Sequence, residues 1–370
     1  MGAGIWGHVK KTLKGSDYLE MQIGDDSNQS LGGAKAALNE IKFGVFLPVF
    51  GFERRRFGVF SRVFGFGKRR YLLSYEYLRD FTLECERLGY HSVWVPDHLM
   101  YGRNPVLECW TIISALSSIT KRIRLGTMVL SNSFRSPAVL AKMAATLDVI
   151  SNGRLEFGIG AGVSQDENLA YGLPFPKASV RIEQMKEAIE IIKKVWTEEK
   201  ANYNGKYYNI RNAICEPKPL QKPYPPIIIG GGGEKLTLRV TAEHADRCDW
   251  GFLPSMEQYV HKLKVLERHC SAVGRDFREI EKSCWPGGQV FIVPDQKELG
   301  EKIAKWKPKG VSLEDFKTRN LVGTPNECIE RIQAYVKLGV TCFMLMFGDL
   351  PSNKGMMLFA KEVADKIKPS

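Results

Sequence analysis

The sequence predicts an α/β protein that folds as a single (β/α)8 TIM barrel with insertions, and three observations support this prediction. From residue 41 onward, short runs of β-branched and aromatic residues alternate with amphipathic stretches of helical period. Eight such pairs occupy about 300 residues, which is the length of an eight-stranded barrel. The short runs are almost continuously apolar, as expected for parallel strands that are buried on both faces. A doubly wound open sheet is the alternative, because periodicity does not show whether the sheet closes.

The predicted strands and helices alternate along the chain. The strands are IKFGVFLP (41–48), SVWVPDH (92–98), IRLGTMVL (123–130), RLEFGIG (154–160), PIIIG (226–230), DWGFLP (249–254), QVFIV (289–293) and CFMLMF (342–347). The helices are expected near residues 75–89, 105–119, 137–151, 179–197, 234–246, 256–273, 325–338 and 355–368. In a parallel barrel the loops that follow the strands build the active site, so polar residues in these loops are the first functional candidates.

Three stretches lie outside this alternation. Residues 1–40 mix Gly, Ser, Asn and Asp with little periodicity, which predicts a poorly ordered or loosely docked extension of the barrel at 41–370. Residues 200–225 carry the hairpin signal Asn204-Gly205 and then a proline-rich run that leads into the fifth strand. Residues 294–324 separate the seventh strand from its helix, and we expect them to form an inserted lid or excursion.

One short segment carries a large share of the net charge of +12. Residues 43–56 (FGVFLPVFGFERRR) and 57–70 (FGVFSRVFGFGKRR) agree at ten of fourteen positions, which predicts a local duplication in the loop 51–72 after strand one. Half of the net charge lies in residues 53–70 of this duplicated basic loop. The rest of the chain is only mildly basic, so no nucleic-acid partner is predicted. The loop is either a solvated excursion or a lid that guides an anionic cofactor or substrate.

The composition excludes several further classes of protein. Hydrophobic residues form 44% and charged residues 25% of the chain, as in globular proteins. The eight cysteines form no CxxC pair and no metal-ligand spacing with histidine, so we expect neither a disulfide framework nor a metal site. No apolar run is long enough for a membrane span, and the first twenty residues lack a signal-peptide core. A cytoplasmic protein with a small-molecule substrate and no membrane partner is the expectation.

Asp97 and His98 directly follow the second predicted strand. A carboxylate beside an imidazole can hold the polar edge of a cofactor and supply an acid or base near neutral pH. The same pair is equally consistent with a helix cap beside a surface histidine. After strand three, Met128 and Val129 would by themselves only complete the apolar core.

Two glycine-rich segments follow the fourth and fifth strands. GIGAG (158–162) suggests a dinucleotide fingerprint, but Val163 stands where the third glycine of that motif belongs. These glycines either allow a flat ligand to approach the backbone or form a tight turn. The segment 230–233 consists of four glycines that run into a predicted helix beginning at Glu234-Lys235. Free amides at a helix N-terminus bind phosphate, so we favour a phosphate site here over a purely structural loop.

Taken together, the motifs resemble the bacterial luciferase-like oxidoreductases. The segments that carry the resemblance are GVFLP, ERLGYHSVWVPDHL, RIRLGTMVL, RSPAVLAKMAATLDVISNGRLEFGIGAG, PKPLQKPYPPIIIGGGG and LVGTPNECIERIQAYVKLGV. They are most similar to the branch of this superfamily that uses the deazaflavin coenzyme F-420. The resemblance implies a barrel, usually a homodimer, that binds the cofactor ring at the C-terminal mouth and transfers a hydride between an organic substrate and ring carbon C5.

The resemblance also implies roles for individual residues. His98 matches the proposed acid/base histidine of the family, and Asp97 matches an aspartate that contacts the cofactor. Met128-Val129 matches a non-proline cis peptide that backs the cofactor ring. Further cofactor contacts are implied at Ser131, Ala161, Gly162 and Asp166, and a phosphate-binding segment at Gly232, Gly233, Lys235 and Leu236.

Two departures from the family pattern bear on the substrate. Sugar-phosphate dehydrogenases of the family have a glutamate where this chain has Val163, and Thr-Ser-Gly-Lys where residues 253–256 read Leu-Pro-Ser-Met. Both argue against a sugar phosphate, and they leave proton handling to His98, helped by Asp166 or Glu167. A methylene-pterin, a secondary alcohol and an unsaturated carbonyl all remain open as substrates. The alternative functions are a reduced-FMN-dependent monooxygenase of the luciferase type and a non-catalytic flavin-binding protein.

Overall fold

The computed structural model of the chain describes residues 40–50, 74–367 and 369. Residues 1–39 of the predicted N-terminal extension and the duplicated basic loop at 51–72 lie outside these residues. The barrel that is described below therefore begins with the first predicted strand. The connection from that strand to the first described helix is outside the described part of the chain.

Eight parallel strands close into a barrel. The strands of the described residues are β1 (Lys42–Phe46), β2 (Ser92–Val95), β3 (Arg124–Thr127), β4 (Leu130–Ser131), β5 (Leu155–Gly160), β6 (Ala201–Asn204), β7 (Asn209–Ala213), β8 (Ile227–Gly230), β9 (Arg247–Asp249), β10 (Glu281–Cys284), β11 (Val290–Ile292), β12 (Leu321–Gly323) and β13 (Val340–Leu345). The ring runs β1-β2-β3-β5-β8-β9-β10-β13 and returns to β1, with β4 continuing β3 beside β5. Leu125 pairs with Leu155 where β3 meets β5, which completes the ring. The predicted TIM barrel is confirmed, and the open sheet is excluded.

Helices surround the barrel and begin and end at residues with suitable capping chemistry. The α-helices of the described residues are α1 (Tyr75–Arg87), α2 (Cys109–Ile119), α3 (Pro137–Ile150), α4 (Gln165–Ala170), α5 (Ala178–Thr197), α6 (Thr237–His244), α7 (Met256–Val273), α8 (Gln296–Trp306), α9 (Leu313–Arg319), α10 (Pro325–Val336) and α11 (Lys354–Glu362). The Ser74 hydroxyl accepts a hydrogen bond from the Tyr77 amide at the start of α1. Gly274 ends α7 with a φ of 72°, which a glycine adopts without steric cost. Among the described residues, no helix is long and apolar enough to cross a membrane.

Two of the predicted barrel strands are wrong in position. The sixth strand is predicted at 249–254, whereas β9 ends at Asp249. The seventh strand is predicted at 289–293, whereas the seventh barrel strand is β10. The apolar run at 289–293 contains β11, which pairs with β12 in a separate two-stranded sheet. The prediction failed because β9 and β10 carry charged and polar residues that the barrel buries.

These charged residues form an ion-pair network at the amino ends of the strands, opposite the mouth. The Arg247 guanidinium donates to Glu156 Oε2 at 2.9 Å and to Glu281 Oε2 at 2.6 Å. Lys42 pairs with the other oxygen of Glu281 at 3.0 Å, and Arg124 pairs with Glu156. Burial raises the pKa of the Glu281 carboxyl, but Arg247 and Lys42 outweigh burial and lower that pKa to about 2. Charge pairing therefore allows β9 and β10 to form barrel strands although their sequences are charged and polar.

An insertion between β10 and α10 covers residues 285–324, so it starts earlier than the predicted 294–324. It contains α8, α9, β11 and β12, and it has a small aromatic core of its own. The ring centroids of Phe291 and Trp306 are 5.1 Å apart, and those of Phe291 and Phe316 are 5.3 Å apart. Because the insertion follows a barrel strand, it lies at the mouth.

The predicted hairpin is confirmed between α5 and β8. Strands β6 and β7 are antiparallel, and the amide of Gly205 donates to the carbonyl of Tyr208 at 2.9 Å. Asn204 is paired with Asn209 at the end of the ladder. The proline-rich run then carries the chain to β8 in the barrel wall. The hairpin is thus an addition to the barrel that leaves the order of its strands unchanged.

Candidate active site

A cavity of about 610 Å³ lies at the carboxyl ends of the barrel strands, a size typical of ligand sites. It is lined by most of the residues that the sequence predicts for the site, namely Asp97, His98, Met128, Val129, Ser131, Ala161, Gly162 and Gly233. Asp166, Gly232, Lys235 and Leu236 are not among the lining residues. Of these four, Asp166, Lys235 and Leu236 are exposed and Gly232 is half-buried. The structure thus brings together the predicted residues that follow β2, β3 and β5, and only part of the predicted phosphate segment.

His98 is held by a buried carboxylate. Its Nδ1 lies 3.1 Å from Oε2 of Glu167, whose side chain is 2% exposed. The amides of Leu99 and Met100 donate to the other oxygen of Glu167. Burial raises the pKa of the Glu167 carboxyl, but the hydrogen bonds from His98 and Met100 offset this effect and lower it below its usual value. An ionised Glu167 requires a hydrogen on Nδ1 of His98, which leaves Nε2 as the atom that can accept a proton.

Aromatic rings limit the positions available to the His98 ring. The ring centroid of Phe50 lies 5.6 Å from that of His98, and the centroid of Tyr101 lies 5.8 Å from it. Phe50 and Tyr101 also contact each other, with centroids 4.8 Å apart. All three rings line the cavity. The imidazole is therefore oriented both by its hydrogen bond to Glu167 and by packing.

Asp97 is buried and holds the chain that follows β3. Its Oδ2 accepts hydrogen bonds from the Ser131 amide at 2.9 Å and from Arg135 at 2.7 Å. Its Oδ1 accepts a second bond from Arg135 at 3.0 Å. Both carboxylate oxygens are thus bound by protein groups, and Arg135 is a partner that the sequence motifs do not indicate. Asp97 fixes one wall of the cavity.

The peptide bond between Met128 and Val129 is cis, as the resemblance implies. The side chain of Val129 fits against glycines of the neighbouring strands. A Cβ on Gly160 would lie 2.8 Å from Val129 Cγ2, and a Cβ on Gly230 would lie 2.7 Å from the same atom. Gly158 likewise faces the Thr127 carbonyl, 2.0 Å from the position of its missing Cβ. Close packing against Val129 and Thr127 therefore requires glycine at positions 158, 160 and 230. This reason differs from both interpretations that the sequence left open for GIGAG.

The glycine run after β8 differs in detail from its prediction. Helix α6 begins at Thr237, later than the predicted start at Glu234. The amide of Gly231 donates to the Asp249 carbonyl at 2.8 Å. Within the described chain, the amides of Gly232 and Gly233 have no hydrogen-bond acceptor. Free amides before a helix N-terminus are the feature that the prediction of a phosphate site requires.

The basic residue beside this segment is Lys262 of α7, while the predicted Lys235 is exposed. Lys262 Nζ donates to the Gly232 carbonyl at 2.8 Å and pairs with Glu234 at 2.6 Å. The sequence gives no signal for this contact, because thirty positions separate Lys262 from Gly232. The positive charge near the glycine run is thus supplied by a different element from the predicted one.

Arg181 of α5 also lines the cavity and was not predicted from the sequence. It donates to the carbonyls of Pro176 and Gly162, and its guanidinium lies 3.8 Å from the centroid of Phe175. Its Nε is buried and has no acceptor within the described residues. A cation with an unsatisfied donor at a cavity wall can bind an anionic group of a ligand.

The other side of the cavity is aromatic and includes residues of the insertion. Trp285 follows β10, and Phe291 and Trp306 belong to the insertion. Phe46 at the end of β1 lies against Trp285, with ring centroids 5.4 Å apart. Trp285 was not predicted, because the seventh strand was expected at 289–293 and not at β10. The strand that positions this tryptophan contains a polar dipeptide before Cys284, so it lacks the apolar run by which strands were predicted.

Comparison with known proteins shows the family to which the chain belongs. The sequence profile of the luciferase-like monooxygenase family matches residues 43–310. The chain belongs to this family. It is 29% identical over 324 residues to an F-420-dependent glucose-6-phosphate dehydrogenase of Microbacterium testaceum, covering 79% of this chain and 93% of the relative. It is 33% identical over 295 residues to the protein of the same name from Intrasporangium calvum, covering 71% and 86% of the two chains. The expectation of a luciferase-like enzyme is thereby confirmed.

Solved structures share the fold. An F-420-dependent secondary alcohol dehydrogenase in complex with an F-420-acetone adduct superimposes with a TM-score of 0.68 at 19% identity, covering 88% of this chain and 98% of the other. The coenzyme F-420-dependent tetrahydromethanopterin reductase of Methanopyrus kandleri also gives 0.68, at 21% identity, with coverages of 89% and 100%. The EDTA monooxygenase of Chelativorans sp. BNC1 gives 0.70 at 16% identity, with coverages of 89% and 95%.

The structure shows where the two departures from the pattern of sugar-phosphate dehydrogenases lie. Val163, which replaces a glutamate of that pattern, is 87% exposed and adds no acid to the interior of the cavity. Residues 253–256 precede and begin α7, where the Ser255 hydroxyl accepts a hydrogen bond from the Gln258 amide. Ser255 therefore serves as a helix cap, and Met256 stands at the position of the lysine in the phosphate motif.

Proposed function

We propose that the protein is an oxidoreductase that transfers a hydride between an organic substrate and a deazaflavin, coenzyme F-420, at the mouth of the barrel. The observation that carries this proposal is the His98–Glu167 pair in the wall of the cavity. It supplies one oriented acid/base, as a hydride transfer to or from an alcohol carbon requires. The relatives at 29% and 33% identity that are named F-420-dependent support the choice of cofactor.

The residues around the cavity fit a flat ring that carries a phosphate. Val129, packed against Gly160 and Gly230, would support one face of the ring. The free amide of Gly233, beside Lys262, would receive the phosphate. Arg181, whose side chain lines the cavity, would bind further anionic groups of the cofactor tail. Backbone amides and a guanidinium are the donors that phosphate and carboxylate groups prefer.

The bound cofactor would accept or supply the hydride at ring carbon C5. In the direction of alcohol oxidation, the C–H bond breaks with its electron pair leaving as hydride, and the O–H bond breaks as the carbonyl forms. His98 Nε2 takes the hydroxyl proton and returns it in the reverse direction. Glu167 keeps the hydrogen on Nδ1 and stabilises the imidazolium that results. The aromatic side of the cavity excludes water from the reacting atoms.

The experiment that tests this function is a titration of the purified protein with F-420 and with FMN, followed by fluorescence and oxygen uptake. We expect tight binding of F-420 and substrate-dependent reduction without oxygen consumption. Tight FMN binding with substrate-dependent oxygen uptake would instead show a luciferase-type monooxygenase.

A histidine variant separates an enzyme from a flavin-binding protein. His98→Ala should lose turnover and keep its affinity for F-420, because His98 handles the proton and the ring support comes from other residues. A wild-type protein that binds F-420 and transfers no hydride with any alcohol or ketone would refute the catalytic proposal.

A further inference from the structure

We propose that the substrate of this site is an uncharged, ring-bearing alcohol or ketone that binds against the aromatic side of the cavity. This inference rests on the proposed function, because it names the partner with which the hydride is exchanged. Three features of the structure carry it: an aromatic wall whose rings are fixed before a ligand binds, a buried carboxylate behind that wall, and the location of the cations that line the cavity.

The aromatic wall consists of Phe46, Trp250, Trp285, Phe291 and Trp306. Each of these rings is packed against another aromatic ring. Phe46 lies 5.4 Å from Trp285, Phe291 lies 5.1 Å from Trp306, and Trp250 lies 4.9 Å from Tyr259 of α7. Rings held in this way lose little conformational entropy when a ligand binds. The wall is thus preorganised for a ligand with flat or alicyclic hydrocarbon surface.

The polar atom of the central tryptophan is already bound by protein. Trp285 Nε1 lies 3.2 Å from both carboxylate oxygens of Asp249. Asp249 is 3% exposed and also accepts hydrogen bonds from the Ser283 hydroxyl and the Gly251 amide. The indole N–H is therefore not available to a ligand, and Trp285 offers only hydrocarbon surface to the cavity. Asp249 is a positioning residue for this ring.

The same carboxyl group gives an anionic substrate no support. Burial raises the pKa of Asp249, and the hydrogen bonds from Ser283, Gly251 and Trp285 offset only part of that rise. A phosphate on the aromatic wall would lie near this buried acid, which supplies no positive charge. The lining cation of the insertion, Lys305, is exposed at the surface of α8. Among the described residues, Lys305 is the cation on this side of the cavity, so a phosphate buried against the wall would lack a buried cationic partner to offset its desolvation.

The remaining charged groups of the cavity wall are bound to other groups of the protein. Asp97 is paired with Arg135, and Glu167 with His98. Arg181 donates a hydrogen bond to the carbonyl of Gly162, which follows β5. In the barrel, β8 and β9 separate β5 from β10, the strand that the insertion follows. Arg181 therefore belongs to the wall that is assigned above to the cofactor. The charges of the cavity therefore favour an anionic cofactor on one side and an uncharged substrate on the other.

The test compares three alcohols on the F-420-loaded full-length protein: 2-decalol, which has two fused rings; propan-2-ol, which is small and uncharged; and glucose 6-phosphate, which is charged. We expect kcat/KM for 2-decalol to exceed that for propan-2-ol by at least about 100-fold, because several additional ring carbons are buried. We expect no turnover of glucose 6-phosphate above background. A higher kcat/KM for glucose 6-phosphate than for 2-decalol would overturn the inference and leave the proposed hydride transfer standing.

Matched tryptophan variants locate the effect. Trp306 and Trp110 are both 7% exposed, but only Trp306 lines the cavity. Trp306→Leu should raise KM for 2-decalol at least tenfold more than it raises KM for propan-2-ol, while Trp110→Leu should change neither. Phe46→Leu provides a second variant of the wall if Trp306→Leu does not fold. Equal KM values for 2-decalol in the wild type and in both wall variants would refute the assignment of the wall.

A binding measurement keeps the inference testable if no hydride transfer occurs. Trp250, Trp285 and Trp306 line the cavity, so their fluorescence reports a ligand without any cofactor. We expect 2-decalone to quench this fluorescence, and we expect the quenching to be weaker in Trp306→Leu. Added glucose 6-phosphate should not change the quenching by 2-decalone. These results would support the substrate class even if the proposed function failed. Saturable quenching by glucose 6-phosphate and none by 2-decalone would overturn it.

Discussion

Replacing Glu167 by glutamine tests whether this residue determines which nitrogen of His98 can accept a proton. Glutamine has nearly the same shape as glutamate, but one of its oxygens is replaced by an NH₂ group. If the amide oxygen keeps the hydrogen bonds from Leu99 and Met100, the NH₂ group faces Nδ1 of His98. That nitrogen must then be an acceptor, so the ring hydrogen moves to Nε2. In this tautomer Nε2 has no lone pair free for the proton of an alcohol.

The magnitude follows from the loss of the charge-assisted hydrogen bond from Nδ1–H to Glu167, which favours the tautomer that can accept a proton. A hydrogen bond to a charged group is worth about 1.5–3 kcal/mol, and Glu167 is almost fully buried, so solvent does not replace it. Each 1.36 kcal/mol corresponds to about a factor of ten in rate. We therefore expect kcat to fall by about 10- to 100-fold, with a change of less than about threefold in F-420 affinity. The pH–rate profile should change as well, because a neutral amide replaces the carboxylate beside His98.

Steady-state assays of F-420 reduction across pH, together with thermal melting, measure these effects. Glu330→Gln is the matched control, because it makes the same chemical change at an exposed position of α10 that does not line the cavity. A kcat for Glu167→Gln within twofold of the wild type, with an unchanged pH profile, would refute the positioning role. If Glu167→Gln lowers the melting temperature so far that unfolding accounts for the lost activity, Glu167 has a structural role only.

Three further predictions concern stability and the cofactor. Glu281→Gln should destabilise the protein by a few kcal/mol at pH 7, because the pKa of the carboxyl is lowered to about 2 in the folded state. Such a group stabilises the fold above its unfolded pKa of 4.5, and this contribution is lost as the pH falls to its folded pKa of about 2. The free energies of unfolding of the wild type and the variant, measured with urea, should therefore converge between about pH 4.5 and pH 2. Gly230→Ala should destabilise the barrel by about 1–3 kcal/mol, because its Cβ would lie 2.7 Å from Val129 Cγ2; a midpoint in urea equal to that of the wild type would contradict the packing argument. Gly232→Val should weaken F-420 binding at least tenfold with little loss of stability, because the nearest atoms to its Cβ position are 3.7 Å away; equal affinity in variant and wild type would exclude the phosphate segment.

The apolar strands could be predicted from the sequence, and the charged strands could not. β5 and β8 are predicted because both of their faces contact apolar neighbours, which produces continuous runs such as Ile227–Gly230. β9 and β10 begin with Arg247 and Glu281, whose burial is possible only because partners from other strands neutralise them. Those partners are distant in the chain, so no local pattern indicates that the charges are inside.

The functional loops could be predicted, but not the contacts between them. Residues that follow strands of a parallel barrel must meet at one mouth, so Asp97, His98 and Gly162 could be assigned from their positions alone. Arg135 binds Asp97 across 38 positions, and Lys262 binds Gly232 across 30. Such pairs depend on the angle at which each helix returns to the barrel, which the sequence motifs do not specify.

The barrel class, the family resemblance and the end of the barrel where the candidate site lies all follow from the sequence. The identity of the acid that contacts His98 depends on tertiary packing. Asp166 and Glu167 are consecutive residues at the start of α4, and composition and spacing treat them alike. One step along a helix rotates a side chain by about 100°, so Glu167 is buried against His98 while Asp166 is exposed. Only the packing of α4 against the loop after β2 distinguishes the two carboxylates.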